Sequence, residues 1–528
     1  MLSLKPLFKK ILFMLFWGIC FSSYQVDAQN IIYVDADNSS GVEDGTSWAT
    51  AFTDIQDAFV SSLNLVGIDE IWVAEGTYTP VSCISNCETD AVRGATFQLL
   101  KEVSLLGGFK GNESDKSERN PWNNFSILSG DILGNDDLND LRKDAPSRSD
   151  NSNHVLTGDL VDNTSVLDGF IIRGGNASSD ILNTQSGGGL INNAGSPIIR
   201  NCIFEYNTAT AAGALDCSNG GSPIVVNSIF RNNIASDLGG AISVFQEAKP
   251  IFLNCLFYDN EAGQTGGASY SGDNGTGATT IATFYNCTFY NNSSVDVGPT
   301  HAGQLNSSAI FMNCILWENT RNGSFSPQIK LSDSATVEVS YSIIQVDDTL
   351  AYTGTGNLRS DPDFYDKLNR DFRINASSPA VDAGGVIPLD LGDIDGDSIT
   401  NEDLPFDLAR NNRVQVVDAG GIDIGPYESN GILDGIFNSL GQNGLEFKIL
   451  PNPTKADMIG LEISQIKGNQ LNISLLDLNG RLIYAERLRV STHELTRHRL
   501  AVSGLNKGLY LVAIKTDTQQ YVRKLIIY

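Results

Sequence analysis

SPIIRNCIFEYN, from Ser196 to Asn207, is the phrase that decides the fold, because the chain writes it five times. It returns as SPIVVNSIFRNN from Ser222, KPIFLNCLFYDN from Lys249, ATFYNCTFYNN from Ala282 and AIFMNCILWEN from Ala309. Anchored on Cys202, Ser228, Cys255, Cys287 and Cys314, the copies stand 26, 27, 32 and 27 residues apart. A repeat of that length cannot bury a core alone, so its copies must stack. Short runs of Ile, Val, Phe and Tyr between Gly, Asn, Ser and Pro are strand chemistry punctuated by turns. The spacing predicts a right-handed parallel β-helix with three short strands per coil. The 32-residue step is taken up by the Gly-rich insertion SGDNGTGATT.

Two asparagine columns follow. Asn201, Asn227, Asn254, Asn286 and Asn313 precede the anchors, and Asn207, Asn233, Asn260, Asn292 and Asn319 stand five residues after them. An Asn tolerates left-handed backbone and carries both donor and acceptor, so coils rising ~4.8 Å can stack amide on amide. Phe204, Phe230, Phe257, Phe289 and Leu316 share strand parity with the anchors and should face the same interior. Stacked thiols lie parallel, whereas a disulfide needs opposed vectors, so the Cys anchors read as buried filler. Cys83 and Cys87 flank a short polar loop and read as closing it in a local disulfide.

Outside the repeat, Lys5, Lys9 and Lys10 precede an apolar run from Ile11 to Phe21 and a small-residue site at Val26-Asp27-Ala28. Residues 1–28 therefore read as a secretory signal peptide, too short in its apolar run to span a membrane. No later segment reaches spanning length. Trp48, Phe52, Ile55, Phe59 and Leu63 have helical spacing, with Ser47 or Thr46 as the N-cap. Such a helix would cover the open first coil. Residues 29–429 read as the β-helix passenger, clearest over 188–345, with a closing acidic region at 375–429. A linker spans 430–444. From Leu445 to Tyr528, alternating apolar strands with turns at Asn479-Gly480 and Asn506-Lys507-Gly508 predict a small β-sandwich. The tail carries +5 and the stretch from Gln29 to Gly444 carries -34 within a chain of net charge -27. So acidic a passenger excludes nucleic acid and anionic membranes as partners and favours divalent cations.

Several stretches carry a resemblance. YVDADNSSGVEDGTSWATAFTDIQDAF, EIWVAEGTYTP, LLGGFKGNES, ILSGD, VLDGFIIRGGN and the NCxFxxN repeats resemble secreted right-handed β-helix proteins of the pectate-lyase-like superfamily and polymorphic outer-membrane-protein repeats. NASSPAVDAGG (375–385) and GIDIGPYES (421–429) resemble the paired motifs that close many such helices. Pro451-Asn452-Pro453, Gly480-Arg481, Gly508-Leu509-Tyr510 and Lys524-Leu525 resemble the type A sorting domain of the type IX secretion system. That resemblance implies the type IX machinery as partner, passage across the outer membrane, and a surface or extracellular destination.

Chemistry is less marked. Asp393, Asp395, Asp397 and Asp403, with Glu402, make an acidic loop suited to Ca²⁺. It departs from the EF-hand pattern, since Leu404 stands at the twelfth position from Asp393, so a solvated acidic loop is the plain alternative. Glu205, Arg231, Asp237, Glu247, Asp259 and Glu261 are the charged candidates within the coils, but they do not recur as one column. His154 and His301 stand alone, which argues against a His-based metal site or triad. Tyr258, Tyr290 and Trp317 form either an exposed stripe for sugar rings or, the favoured reading, aromatics packed under a loop. The expectation is an adhesin-like surface protein binding glycans or a host or matrix surface, with a polysaccharide lyase or glycoside hydrolase as the alternative.

Overall fold

A computed structural model describes residues 30–65, 67–82, 93–178, 185–273, 279–345, 354–387, 406–410, 413 and 421–429. In the C-terminal module it describes 446–450, 458–464, 470–476, 482–489, 496–503, 505, 508–515 and 520–527. The signal segment, the Cys83–Cys87 loop and the linker therefore lie outside the described residues.

One coil shows the plan. Ile198–Arg200 joins a ten-stranded sheet, and Ile203–Glu205 a nine-stranded one. Thr208–Ala211 then joins a seven-stranded sheet, and Leu215–Ser218 an eight-stranded one. Each strand pairs in parallel with its counterpart one coil on, as Ile203, Phe204 and Glu205 do with Ile229, Phe230 and Arg231. The coil thus has four short strands, not the predicted three. The overlooked one follows the second Asn column and is made of small or polar residues such as TATA and Ser293–Ser294. Such runs carry no β-branched apolar signal.

The corners explain the asparagines. All five Asn before the anchors adopt positive φ, from 48° at Asn227 to 56° at Asn313, a region that Asn enters more easily than other side chains. In the second column each amide donates to the next: Asn207 to Asn233 at 3.1 Å, Asn233 to Asn260 at 3.0 Å, Asn260 to Asn292 at 2.9 Å, and Asn292 to Asn319 at 2.8 Å. The column is buried, so any broken link strands a polar group away from water. Beside it Phe204, Phe230, Phe257 and Phe289 stack with centroids 4.7–4.9 Å apart. Cys202, Cys255, Cys287 and Cys314 are free and buried, as is Cys217.

A helix at Ile55–Asn64 covers the first coil, burying Ile55, Ala58 and Phe59 against Ile32 and Val34. Its N-cap is Asp54, whose carboxylate accepts from the Gln56 amide at 2.8 Å, and not Ser47 or Thr46. Trp48 belongs to a separate 3-10 turn, Trp48–Thr50, and Phe52 bridges to Val34. The helix accordingly starts a turn later than the apolar spacing implied. In the tail, a three-stranded and a four-stranded antiparallel sheet share one core that includes Leu461, Ile473, Leu475, Leu500 and Val512. No helix among the described residues is long and apolar enough to cross a membrane.

Candidate functional site

The outer face of the nine-stranded sheet is where polar and aromatic side chains meet. Strand parity sends two columns outward. One is apolar but for Thr288, with Ile203, Ile229, Leu256, Thr288 and Ile315 in register; the other runs Arg173, Glu205, Arg231, Tyr258, Tyr290 and Trp317. The lower part of this face is covered by the chain that follows the solenoid. Phe364, Phe372 and Ile374 pack on Tyr258, Tyr290, Ile315 and Trp317, leaving those three aromatics buried. They therefore pack under a segment, as favoured, and form no exposed stripe.

This closing segment acts as a strap. Arg370 pairs with Asp259 at 2.8 Å and Lys367 with Glu318 at 2.5 Å. The two motifs at 375–385 and 421–429 meet, with Ile424 N–H donating to Ala380 O at 2.9 Å and Gly384 N–H to Ile422 O at 2.7 Å. Both rest on Asn313, which donates to Gly385 O at 2.8 Å and accepts through its backbone oxygen from Gly425 N–H. They thus clasp the flank of the solenoid. Arg413, buried, lies 3.1 Å from Glu428 and also donates to Gly425 O. Asp407 accepts from the Glu428 amide and Asp423 from the Ser429 and Asp382 amides. Burial pushes the Asp423 carboxyl up to about 6 and that of Glu428 up to about 7, with Arg413 opposing both shifts.

Further up, the sheet is bounded by the loop carrying Trp122. That loop is stapled at Asp168, fully buried, which accepts from Arg119, from Arg200 Nε at 2.7 Å and from Asn201 Nδ2 at 2.8 Å. Lys116 reaches Glu70 at 2.7 Å, and Glu113 O accepts from Trp48 Nε1 at 2.9 Å. Between loop and strap lies a cavity of about 330 Å³ lined by Trp122, Ile229, Leu408, Ala409, Arg410 and Tyr427. Two aromatic walls, an aliphatic floor and one guanidinium suit a ring-shaped ligand with polar substituents.

Of the sequence candidates, only Glu205 and Arg231 stand side by side in this region. Arg231 Nε donates to Glu205 at 2.7 Å, and Arg231 Nη1 donates to Tyr258 Oη at 3.1 Å. Asp259 is occupied by Arg370 and by Asn291 Nδ2 at 2.6 Å. Asp237 and Glu261 belong to the seven-stranded sheet, and Glu247 sits on an exposed turn with φ 67°. Burial raises the Asp237 carboxyl, with Lys143 opposing. These acids therefore fall on different faces and assemble no common centre. His301 points into the coil, its Nδ1 2.7 Å from Ser269 Oγ, and burial drives its pKa down to about 3. His154 Nδ1 lies 2.9 Å from Gly187 O. The loop bearing Asp393, Asp395, Asp397, Glu402 and Asp403 lies outside the described residues. Its flanks are placed: Ile387 packs on Val226, Leu253 and Tyr285, and Phe406 O accepts from Asn254 Nδ2 at 2.9 Å.

Trp122, Arg410 and Tyr427 were missed by sequence reasoning. None lies in the repeat, and no periodic signal points to residues that only the folded strap and loop bring together.

Comparison with known families accords with this architecture. Residues 168–357 match the family model of the right handed beta helix region. Residues 448–528 match that of the secretion system C-terminal sorting domain. No curated protein matches the chain. The molecule is thus a right-handed β-helix protein with a sorting tail. The tail marks it for export by the type IX secretion system to the cell surface or extracellular space.

Proposed function

We propose that the exported β-helix is an adhesin-like, non-enzymatic glycan-binding protein whose saccharide seats between Trp122 and Tyr427. The observation that carries this reading is the cavity itself, where two aromatic walls and Arg410 converge over Ile229 on a rigid sheet. Aromatic faces stack on sugar rings, and a guanidinium supplies donors that orient hydroxyl or acidic substituents. Glu205 is engaged by Arg231 and Asp259 by Arg370, so neither carboxylate is held ready for acid–base work. The test is to incubate the full chain with acidic and neutral polysaccharides and measure both binding and products. Binding without new reducing ends or unsaturated sugars is expected. Turnover abolished by a single carboxylate substitution would replace this reading with a lyase or hydrolase.

The acidic loop is proposed as a Ca²⁺ site built from Asp393, Asp395, Asp397 and Asp403, whose alternating carboxylates supply the oxygens the ion prefers. A ligand that binds only the folded state stabilises it by mass action. Chelation should therefore lower the melting temperature of the solenoid, and Asp395→Ala should remove most of that difference. Identical melting with and without Ca²⁺ would leave a solvated loop.

A further inference from the structure

The arginines of this face divide into two kinds. Arg231 is matched by Glu205, Arg370 by Asp259, Arg373 by Asp371 and Arg413 by Glu428. The side chains of Arg173 and Arg410 have no hydrogen-bond or ion-pair partner among the described residues. Arg410 lines the cavity from a turn in which its own amide donates to Asp407 O at 2.9 Å and its φ is 64°. Arg173 stands in register with Glu205 on the adjoining strand, so the column Arg173, Glu205, Arg231 carries two positive charges against one negative.

An unmatched guanidinium beside aromatic walls, with a second on the same sheet face, is unexpected in a protein of net charge -27, whose 62 acidic residues outnumber its 35 Lys and Arg. A planar guanidinium grips carboxylate or sulfate oxygens through two parallel N–H bonds, a geometry that neutral hydroxyls do not reward equally. The acidic surface elsewhere repels a polyanion. At 0.15 M salt, however, charges beyond ~8 Å are largely screened, so the groups in the groove decide what is held.

We propose that the groove takes an anionic polysaccharide, its carboxylate or sulfate groups held by Arg410 and Arg173 while its rings lie against Trp122 and Tyr427. This inference rests on the saccharide reading above and names the chemical class of that ligand. It also sets a polarity for the chain: acidic substituents point toward the two arginines, and the flatter ring faces toward the aromatic walls.

The experiment measures equilibrium binding of the full chain at 0.15 M salt to dextran, dextran sulfate and alginate. Dextran and dextran sulfate share a backbone and differ in charge, whereas alginate offers carboxylates in place of sulfates. At least tenfold tighter binding to a charged polymer than to dextran is expected, and the tighter of the two identifies the acidic group. Arg410→Gln with Arg173→Gln should remove most of that preference, weakening the charged polymers far more than dextran. As a control, Arg321→Gln alters one exposed arginine on the seven-stranded sheet and should change nothing. Equal affinity for dextran and both charged polymers overturns the anionic assignment while the saccharide reading stands. So does a loss with Arg321→Gln as large as with Arg410→Gln. Absence of binding to every polymer overturns the saccharide reading itself.

Discussion

The inside and the outside of the nine-stranded sheet obey different rules. Inward, each coil repeats the last: Phe204, Phe230, Phe257 and Phe289 stack ring on ring, and the Asn207 to Asn319 column passes one hydrogen bond from coil to coil. Outward, on the same strands, Arg173, Glu205, Arg231, Tyr258, Tyr290 and Trp317 change identity at almost every step. An interior position in a solenoid meets the same neighbours in every coil, so one residue type suits all copies. An exterior position meets whatever the remote loop or strap brings to it. The contrast teaches that regularity holds this molecule together and that departures from regularity let remote segments dock on its surface.

The interior should break most easily. Phe257→Ala removes a ring that is stacked on both sides in a buried column and should cost about 3–5 kcal/mol in chemical denaturation of the solenoid. Asn260→Ala should cost slightly less, roughly 2–4 kcal/mol, chiefly because the amide of Asn233 and the carbonyl of Phe230 lose partners away from water. Costs below about 1 kcal/mol for both would mean that the columns are incidental to the stacking.

The strap should respond to pH with a smaller effect. In the folded state the Asp423 carboxyl is raised from 3.8 to about 6 and that of Glu428 from 4.5 to about 7. The fold thus favours their protonated forms. That contribution is complete below the ordinary carboxyl range and is lost as pH climbs through 6 and 7. Thermal unfolding should show the strap held less firmly at pH 8 than at pH 5, by an amount on the order of 2 kcal/mol. Glu428→Gln should flatten most of that dependence. A strap more stable at pH 8 than at pH 5 would reverse the sign and refute the assignment.

How much of this was legible in the sequence follows from the same contrast. The anchors, the ring column and both Asn columns repeat in every copy, so their interior placement could be read directly. The fourth strand could not, since Thr208–Ala211 and Ser293–Ser294 have turn-like composition and are strands only because neighbouring coils pair with them. Nor could the corner before the second Asn column. Tyr206 and Glu318 adopt positive φ there as Asn232 and Asn291 do, although their side chains do not favour it. Tyr258, Tyr290 and Trp317 stand third after their anchors and read as aromatics packed under a loop, but nothing local names Phe364 and Phe372 as the cover. The groove was the least legible part. Trp122 is placed by a charge staple at Asp168 and Tyr427 by a clasp at Asn313 and Arg413, and both depend on contacts between segments distant in sequence.

The central claim is that the groove, on the irregular side of the sheet, carries function without carrying the fold. Trp122 is half-buried and outside every stacked column, so Trp122→Ala tests it most directly. The measurement pairs an unfolding curve of the variant with its affinity for the polysaccharide that the full chain binds most tightly. The account predicts an unfolding midpoint close to that of the parent and an affinity at least tenfold lower, equivalent to about 1.4 kcal/mol of lost binding. Parent-like affinity would contradict it, as would a loss of affinity matched by a comparable loss of stability.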